Sequence, residues 1–250
     1  MIKIIINGCN GRMGKVLTQI ISNDDDMDVV AGIDTNVEIS EDFPVFSAPE
    51  KCDVAADVVI DFSHFSAVPA LIDYCTTKKL PMVIATTALE ESTVKKIKDA
   101  SESIPIFHSS NMSLGINLLA KAIRDIAPSV DGDFNAEIVE KHHNKKLDAP
   151  SGTAILLADN IKASSKRDKD YIYGRHSKRD EFNPDNIAIH AIRGGTIPGE
   201  HTVMFIGPDE IIELKHIALS RDIFGHGAIK AAKYIVNQPV GLYNMDDMLG

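Results

Sequence analysis

"MIKIIINGCNGRMGKVLTQII", Met1 to Ile21, decides the fold. Ile2–Ile6 is an apolar run interrupted only by Lys3, close to what a strand buried on both faces requires. Arg12–Ile21 has the apolar spacing of a helix. Between them lies a glycine loop, Gly8, Cys9, Asn10, Gly11, Arg12, Met13 and Gly14. Against the dinucleotide fingerprint G-x-G-x-x-G, Gly11 and Gly14 take the second and third glycine positions, and Cys9 stands at the first with Gly8 before it. Gly11 lets the backbone approach a pyrophosphate, and Gly14 lets the helix pack on the strand. Free amides at the helix start then face the phosphates, and Arg12 adds positive charge.

Asp34 follows the next apolar run, where a ribose hydroxyl acceptor belongs. A tight strand-to-helix turn followed by a solvated aspartate is the plainer alternative. A carboxylate accepts from the 2′-hydroxyl of NADH and repels the 2′-phosphate of NADPH, and Thr35 and Asn36 bring no arginine. NADH is therefore expected to serve at least as well as NADPH.

Working outward, Val29–Ile33, Val58–Ile60, Met82–Ala85 and Ile104–Phe107 read as further short strands, with helical stretches near Ser66–Thr77 and Glu90–Ala100. This alternation implies an α/β fold with a Rossmann-like parallel sheet. The connection from Asp34 to Asp57 is expected to be irregular. Ser109, Ser110, Asn111 and Met112 after one strand, and Ala85, Thr86 and Thr87 after another, are candidates to line the cofactor site, since ligands bind beyond the carboxyl ends of parallel strands.

A helical pattern from Ser113 to Ala127 leads into a different style. Asn135–His142, Ile187–Arg193, His201–Ile206 and Ile211–His216 read as strands, with one helix near Thr153–Ala163 and a hairpin turn at Gly207-Pro208-Asp209. The expectation is a second α+β domain with a mostly antiparallel open sheet. Lys166–Asp170 and Ser177–Asp180 read as solvated charge runs. A last helix, Phe224–Val236, returns to the first domain, with Gly225 and Gly227 allowing close approach. The domains are thus expected at 1–112 with 222–250, for dinucleotide binding, and at 113–221, for substrate binding and oligomerisation.

The 250 residues carry a formal charge of −10. That balance disfavours a nucleic-acid or membrane surface, because both need clustered positive charge. Cys9, Cys52 and Cys75 fit no metal or redox spacing and read as reduced residues of a cytoplasmic protein. No run is long and apolar enough to span a bilayer.

"EKHHNKKLDAPSGTAILLADNI", Glu140 to Ile161, concentrates chemistry. On a strand His142 and His143 point to opposite faces, which argues against a shared metal. Gly152 and Thr153 open a helix whose first amides lack intrahelical partners, a ready cradle for carboxylate or phosphate. Lys146 adds a full positive charge. A self-sufficient cap, with Asp148 or Ser151 bonding those amides, is the alternative. Lys145 and Lys146 should hold the His142 imidazole neutral, and a bound dianion would reverse that bias. Such a histidine can deliver a proton as an anionic substrate binds.

These residues resemble one family, the 4-hydroxy-tetrahydrodipicolinate (dihydrodipicolinate) reductases of diaminopimelate and lysine biosynthesis. The resemblance rests on G-x-x-G-R-M-G at Gly8–Gly14 and E-x-H-H-x-x-K-x-D-A-P-S-G-T-A at Glu140–Ala154, with "IDFS" at Ile60, "SLGIN" at Ser113 and "GEHTV" at Gly199. It implies reduction of a cyclic imine dicarboxylate by NADH or NADPH with loss of water, in a homotetramer built through the second-domain sheets. It implies that His142 exchanges the proton, that Lys146 donates one, and that His143, Gly152 and Thr153 bind substrate. Gly8–Met13, Asp34, Ala85–Thr87 and Ser109–Met112 would bind cofactor. "ATTA" at Ala85–Ala88 stands where the family often has G-T-T-G, so Ala85 is expected to bring a methyl group toward the cofactor. "HSSNMS" also departs from the commoner A-x-N-F/M-S context on the cofactor side. Two rival readings are a dehydrogenase of another amino or keto acid, and a non-catalytic NAD(H)-sensing regulator.

Overall fold

A computed structural model describes residues 1–37, 42–176 and 183–250. Part of the Asp34–Asp57 connection and the whole Ser177–Asp180 run fall outside the described residues. The chain divides into two units, Met1–Leu114 with Asp222–Gly250, and Gly115–Arg221.

In the first unit the apolar runs become β1 (Ile2–Asn7), β2 (Met27–Ile33), β3 (Val45–Phe46), β4 (Val58–Asp61), β5 (Met82–Ile84), β6 (Pro105–His108) and, from the chain end, β12 (Gly241–Tyr243). They form one sheet in the order β12-β6-β5-β4-β1-β2-β3. Every pairing in it is parallel. Successive residues alternate between the two faces. Ile4 and Ile6 pack with Leu17 and Ile21 of α1 (Arg12–Ile21), Ala228 and Ile235 of α6 (Asp222–Ile235) and Met245 of α7 (Met245–Leu249). Ile5 packs the other way, with Leu71, Ile72 and Cys75 of α2 (Val68–Lys78) and Ile97 of α3 (Glu91–Ala100). Both faces are covered, which explains strands whose central residues are apolar on both sides. Gly227 is required on α6, because a Cβ there would run into the Met112 carbonyl oxygen.

In the second unit the strands are β7 (Asn135–His142), β8 (Asp170–Tyr173), β9 (Asn186–Arg193), β10 (Gly199–Ile206) and β11 (Ile211–Ala218), in the order β11-β10-β7-β9-β8. β10 pairs antiparallel with β11 and with β7. β7 and β9 pair in parallel, as do β8 and β9. The expected mostly antiparallel sheet is therefore mixed. The physical reason is the crossover between β7 and β9 that includes α5 (Gly152–Ser164), since parallel neighbours need such a connection. Ala136 and Ile138 of β7, Ile187 and Ile189 of β9 and Val203 and Phe205 of β10 pack under Ile123 and Ala127 of α4 (Leu114–Val130) and Leu157 and Ile161 of α5.

The charge run Lys166–Asp170 is solvated as expected at Lys166, Asp168 and Asp170, but not at Lys169. Lys169 is buried, its Nζ lies 2.8 Å from Asp131 Oδ1, and Asp131 Oδ2 accepts the backbone N–H groups of Lys166 and Arg167. A buried carboxylate at the Asp131-Gly132 turn draws the run inward, because a buried charge needs a partner.

Candidate active site

Strand order in the first sheet reverses at β1, which lies between β2 and β4. Asn7 and Asp61, the last residues of β1 and β4, are register partners, and the Asn7 amide donates to Asp61 Oδ1 at 2.7 Å. Ser63 donates its hydroxyl to the same oxygen at 2.6 Å, and Asp61 Oδ2 has no hydrogen-bond partner among the described residues. Asp61 is fully buried, and burial pushes its carboxyl above the usual range.

The glycine loop leaves the same edge. Gly8 has φ +82, and a Cβ there would lie 2.7 Å from the Phe62 carbonyl oxygen. A Cβ on Gly14 would run into the carbonyl oxygens of Gly8 and Cys9, so glycine is what lets α1 start so close to the loop. Gly11 is the N-cap of α1 and supplies no side-chain cap. The first-turn amides are thus left uncapped by a side chain, an arrangement that fits a phosphate anion. Arg12 is exposed and Met13 is half-buried beside them. Asp34 Oδ2 accepts the Asn10 N–H and Oδ1 accepts the Asn36 N–H, each at 3.0 Å. The Asn10 side-chain amide also donates to the Asn36 carbonyl. Asp34 therefore braces the loop as well as standing at the end of β2. Cys9 is buried, and burial, then the nearby Asp34 charge, pushes its thiol up to about 11, which leaves it unreactive.

Ala85 is the position where a methyl group toward the cofactor is expected. It is buried in the core with Ile4, Ile60 and Val83. The position where glycine would matter is Ala88, a non-glycine residue at φ +57. Thr86 is buried and donates to the Ser63 carbonyl at 3.3 Å, while Thr87 is exposed. After β6, the Ser109 hydroxyl donates to the Asn111 carbonyl, and Asn111 Oδ1 accepts the Ser113 N–H. Ser110 is exposed and Met112 is buried.

In the second unit β7 turns from apolar to polar on one face. Ala136 and Ile138 face the core, and the next two inward residues are Glu140 and His142, both buried. Glu140 accepts from His142 Nδ1 at 2.5 Å, from both terminal nitrogens of Arg193 at 2.7 and 2.8 Å, and from the Ser151 N–H at 3.0 Å. Burial alone would raise the Glu140 carboxyl; the Arg193, His142 and Ser151 hydrogen bonds outweigh it and hold it below the usual value. Burial, followed by the positive charges of Lys146 and Arg193, lowers His142, against the opposing pull of Glu140. The imidazole is thus held neutral, with desolvation as the main cause.

Ser151 is the N-cap of α5, and its Oγ accepts the Ala154 N–H at 3.2 Å while contacting His201 Nε2 at 3.0 Å. The capping alternative accordingly accounts for one first-turn amide. Gly152 is exposed, and a Cβ there would meet nothing within 4 Å. Thr153 follows it, half-buried. Lys146 Nζ pairs with Asp148 Oδ2 at 2.9 Å. His143 is half-buried with its backbone tied to Ile197, and its Nε2 lies 3.5 Å from Arg221 Nη2. The segment thus brings His142, His143, Lys146, Gly152 and Thr153 to one end of this sheet. Sequence reasoning missed Arg193, Ser151 as a bridge, and His201, whose ring meets that of His142 edge-on at 5.1 Å. "GEHTV" carried His201 without a role, and no spacing signal marks Arg193.

Family models described as dihydrodipicolinate reductase, N-terminus and C-terminus, match residues 2–112 and 115–249. The chain belongs to the dihydrodipicolinate reductase family. A 4-hydroxy-tetrahydrodipicolinate reductase of Caldanaerobacter subterraneus subsp. tengcongensis is 49% identical over 100% of this chain and 98% of that protein. The reductase of the same description from Clostridium tetani is 48% identical over 100% of this chain and 97% of its own length. Among solved structures, a dipicolinate-bound dihydrodipicolinate reductase from Paenisporosarcina sp. TG-14 superimposes with a TM-score of 0.81 at 25% identity, covering 98% of this chain and 97% of that one. The first unit carries the family's nucleotide-binding part.

Proposed function

We propose that this reductase converts 4-hydroxy-tetrahydrodipicolinate to tetrahydrodipicolinate with loss of water, in diaminopimelate and lysine biosynthesis. The observation that carries the reading is the buried His142, tied to Glu140 beside Lys146 on the segment that opens α5. When bound, the nicotinamide cofactor supplies hydride to the substrate ring. His142 supplies the proton to the ring skeleton that hydride leaves electron-rich. Lys146 and the Gly152–Thr153 amides hold carboxylate charge, Lys146 assists departure of the hydroxyl, and His143 contributes to substrate binding.

The cofactor would lie along Gly8–Met13, Asp34, Ala85–Thr87 and Ser109–Met112. The uncapped α1 amides and the side-chain-free Gly14 support this assignment. Asp34 supports NADH being used at least as well as NADPH, because its carboxylate repels a 2′-phosphate. The unit of residues 1–112 with 222–250 would hold cofactor, and 113–221 substrate. A homotetramer through the second sheet is supported by the sheet face turned away from α4 and α5, which carries the exposed Ile211 and Ile217. Three unpaired cysteines support a cytoplasmic setting. Among the described residues no helix is long and apolar enough to cross a membrane.

The test is the fall in NADH absorbance with the cyclic imine generated in situ. Turnover of this substrate is the expected result. Turnover only with another amino or keto acid would redirect the substrate assignment. A hundredfold advantage of NADPH in kcat/KM would reject the cofactor assignment.

A further inference from the structure

Glu140 is fully buried one strand repeat before His142, and it is the most heavily hydrogen-bonded carboxylate of the second unit's polar cluster. The Arg193 guanidinium grips it with both terminal nitrogens, so it stays ionised. An ionised carboxylate can only accept hydrogen bonds. The 2.5 Å contact to His142 Nδ1 therefore requires the proton on Nδ1 and leaves Nε2 as the nitrogen that exchanges protons. The surroundings keep that nitrogen approachable. A Cβ on Gly199 would lie 3.1 Å from His142 Nε2, so any larger residue there would press on it.

We infer that Glu140, with Arg193 as its counter-ion, is the positioning residue that fixes the His142 tautomer and aims Nε2 at the substrate, and that Gly199 keeps Nε2 open. The catalytic part rests on the reading of His142 as proton donor. The tautomer part does not.

The groups facing His142 are Glu140 on β7, Lys146 on the following loop, Arg193 on β9 and His201 on β10, while Ser151 at the start of α5 bonds Glu140 and His201. Of these Glu140 alone favours the imidazolium. Removing its charge should move the basic limb of the rate profile toward acid, so the deficit grows as pH rises.

The test combines Glu140→Gln with nitrogen-15 spectra of the histidine rings in the substrate-free enzyme. In the wild type, His142 should show Nδ1 protonated and Nε2 bare. In Glu140→Gln, kcat should fall about 10- to 100-fold, with the loss larger at pH 8 than at pH 6 and with NADH affinity unchanged. Glu140→Asp, which keeps the charge, should recover the wild-type pH midpoint in part. A wild-type His142 protonated on Nε2 would overturn the inference even if Glu140→Gln failed to fold. A rate loss equal at every pH, with the tautomer unchanged, would reduce Glu140 to a structural role and also overturn it. A wild type with the stated tautomer that leaves the cyclic imine unreduced would instead count against the proposed function.

Discussion

The loop between β1 and α1 and the polar end of β7, the two sites proposed for anionic ligands, are made of different material. The first is backbone: Gly8, Gly11 and Gly14 shape it by lacking side chains, and its donors are helix amides. The second is side chain: a carboxylate, a guanidinium, two imidazoles and a hydroxyl held by β7, β9, β10 and the start of α5. A backbone site fails through sterics and is nearly indifferent to pH. A side-chain site fails through charge and proton balance, and so it should respond to acid and to isosteric substitution.

The largest effect expected from that contrast is on acid stability. Burial, and then the His142 ring, lower His201 from 6.5 to about 4. Below pH 6.5 the unfolded chain takes this proton and the folded chain does not. The stabilisation is therefore fully present above 6.5 and is lost as pH falls toward 4, about 3 kcal/mol from this one ring. Urea unfolding between pH 7 and 4 should show the decline, and His201→Asn should flatten it. An equal slope in the variant would break the comparison.

Next in size is His142→Gln, expected to lower kcat about 10²-fold with little change in KM. Lys146→Ala should lower kcat and raise KM together, because a charge contact and a proton source are lost at once. Steady-state kinetics with NADH binding as a control separates these outcomes, and near-normal turnover would remove either residue from the chemistry.

For the backbone site, Gly14→Ala should weaken NADH binding about tenfold and lower stability by about 1–3 kcal/mol, as overpacking does. Fluorescence titration and thermal unfolding would measure both, and neither loss should vary between pH 6 and 8. The smallest effect sharpens the contrast at the point where the two modes meet. Gly152→Ala adds a methyl group into open space at the start of α5. Stability should hold or rise slightly, by up to about 1 kcal/mol, while substrate KM rises several-fold. An unchanged KM would show that no ligand approaches those amides.

How much of this could be read beforehand depends on the same division. The bounds of α1 were legible because apolar periodicity runs through it, and those of β7 because its strand alternation starts on Ala136 and Ile138 and ends at the polar Glu140 and His142. The glycine loop was legible because its parts are contiguous. β3, β8 and β12 carry two, four and three residues at sheet edges, too short to show a period. Lys169 looked solvated because its partner Asp131 lies far off in the chain. Arg193 reaches Glu140 across 53 positions, a distance set by strand register that the local pattern does not encode. The family resemblance gave roles to His142 and Lys146 and held Glu140 only as the first letter of a motif; its hydrogen bond to His142 had to come from the structure.

Asp61 gives the first unit an opposite sensitivity. Folding draws a hydrogen ion toward this enclosed carboxyl that the open chain would release. Rising pH opposes that uptake, and the segments leaving β1, β4 and β5 all converge on Asp61 through Asn7, Ser63 and the Ala85 amide. The first unit thus loses this contribution as pH rises from the ordinary carboxylate range, while the second loses that of His201 as pH falls, so the two folds answer to protons with opposite sign.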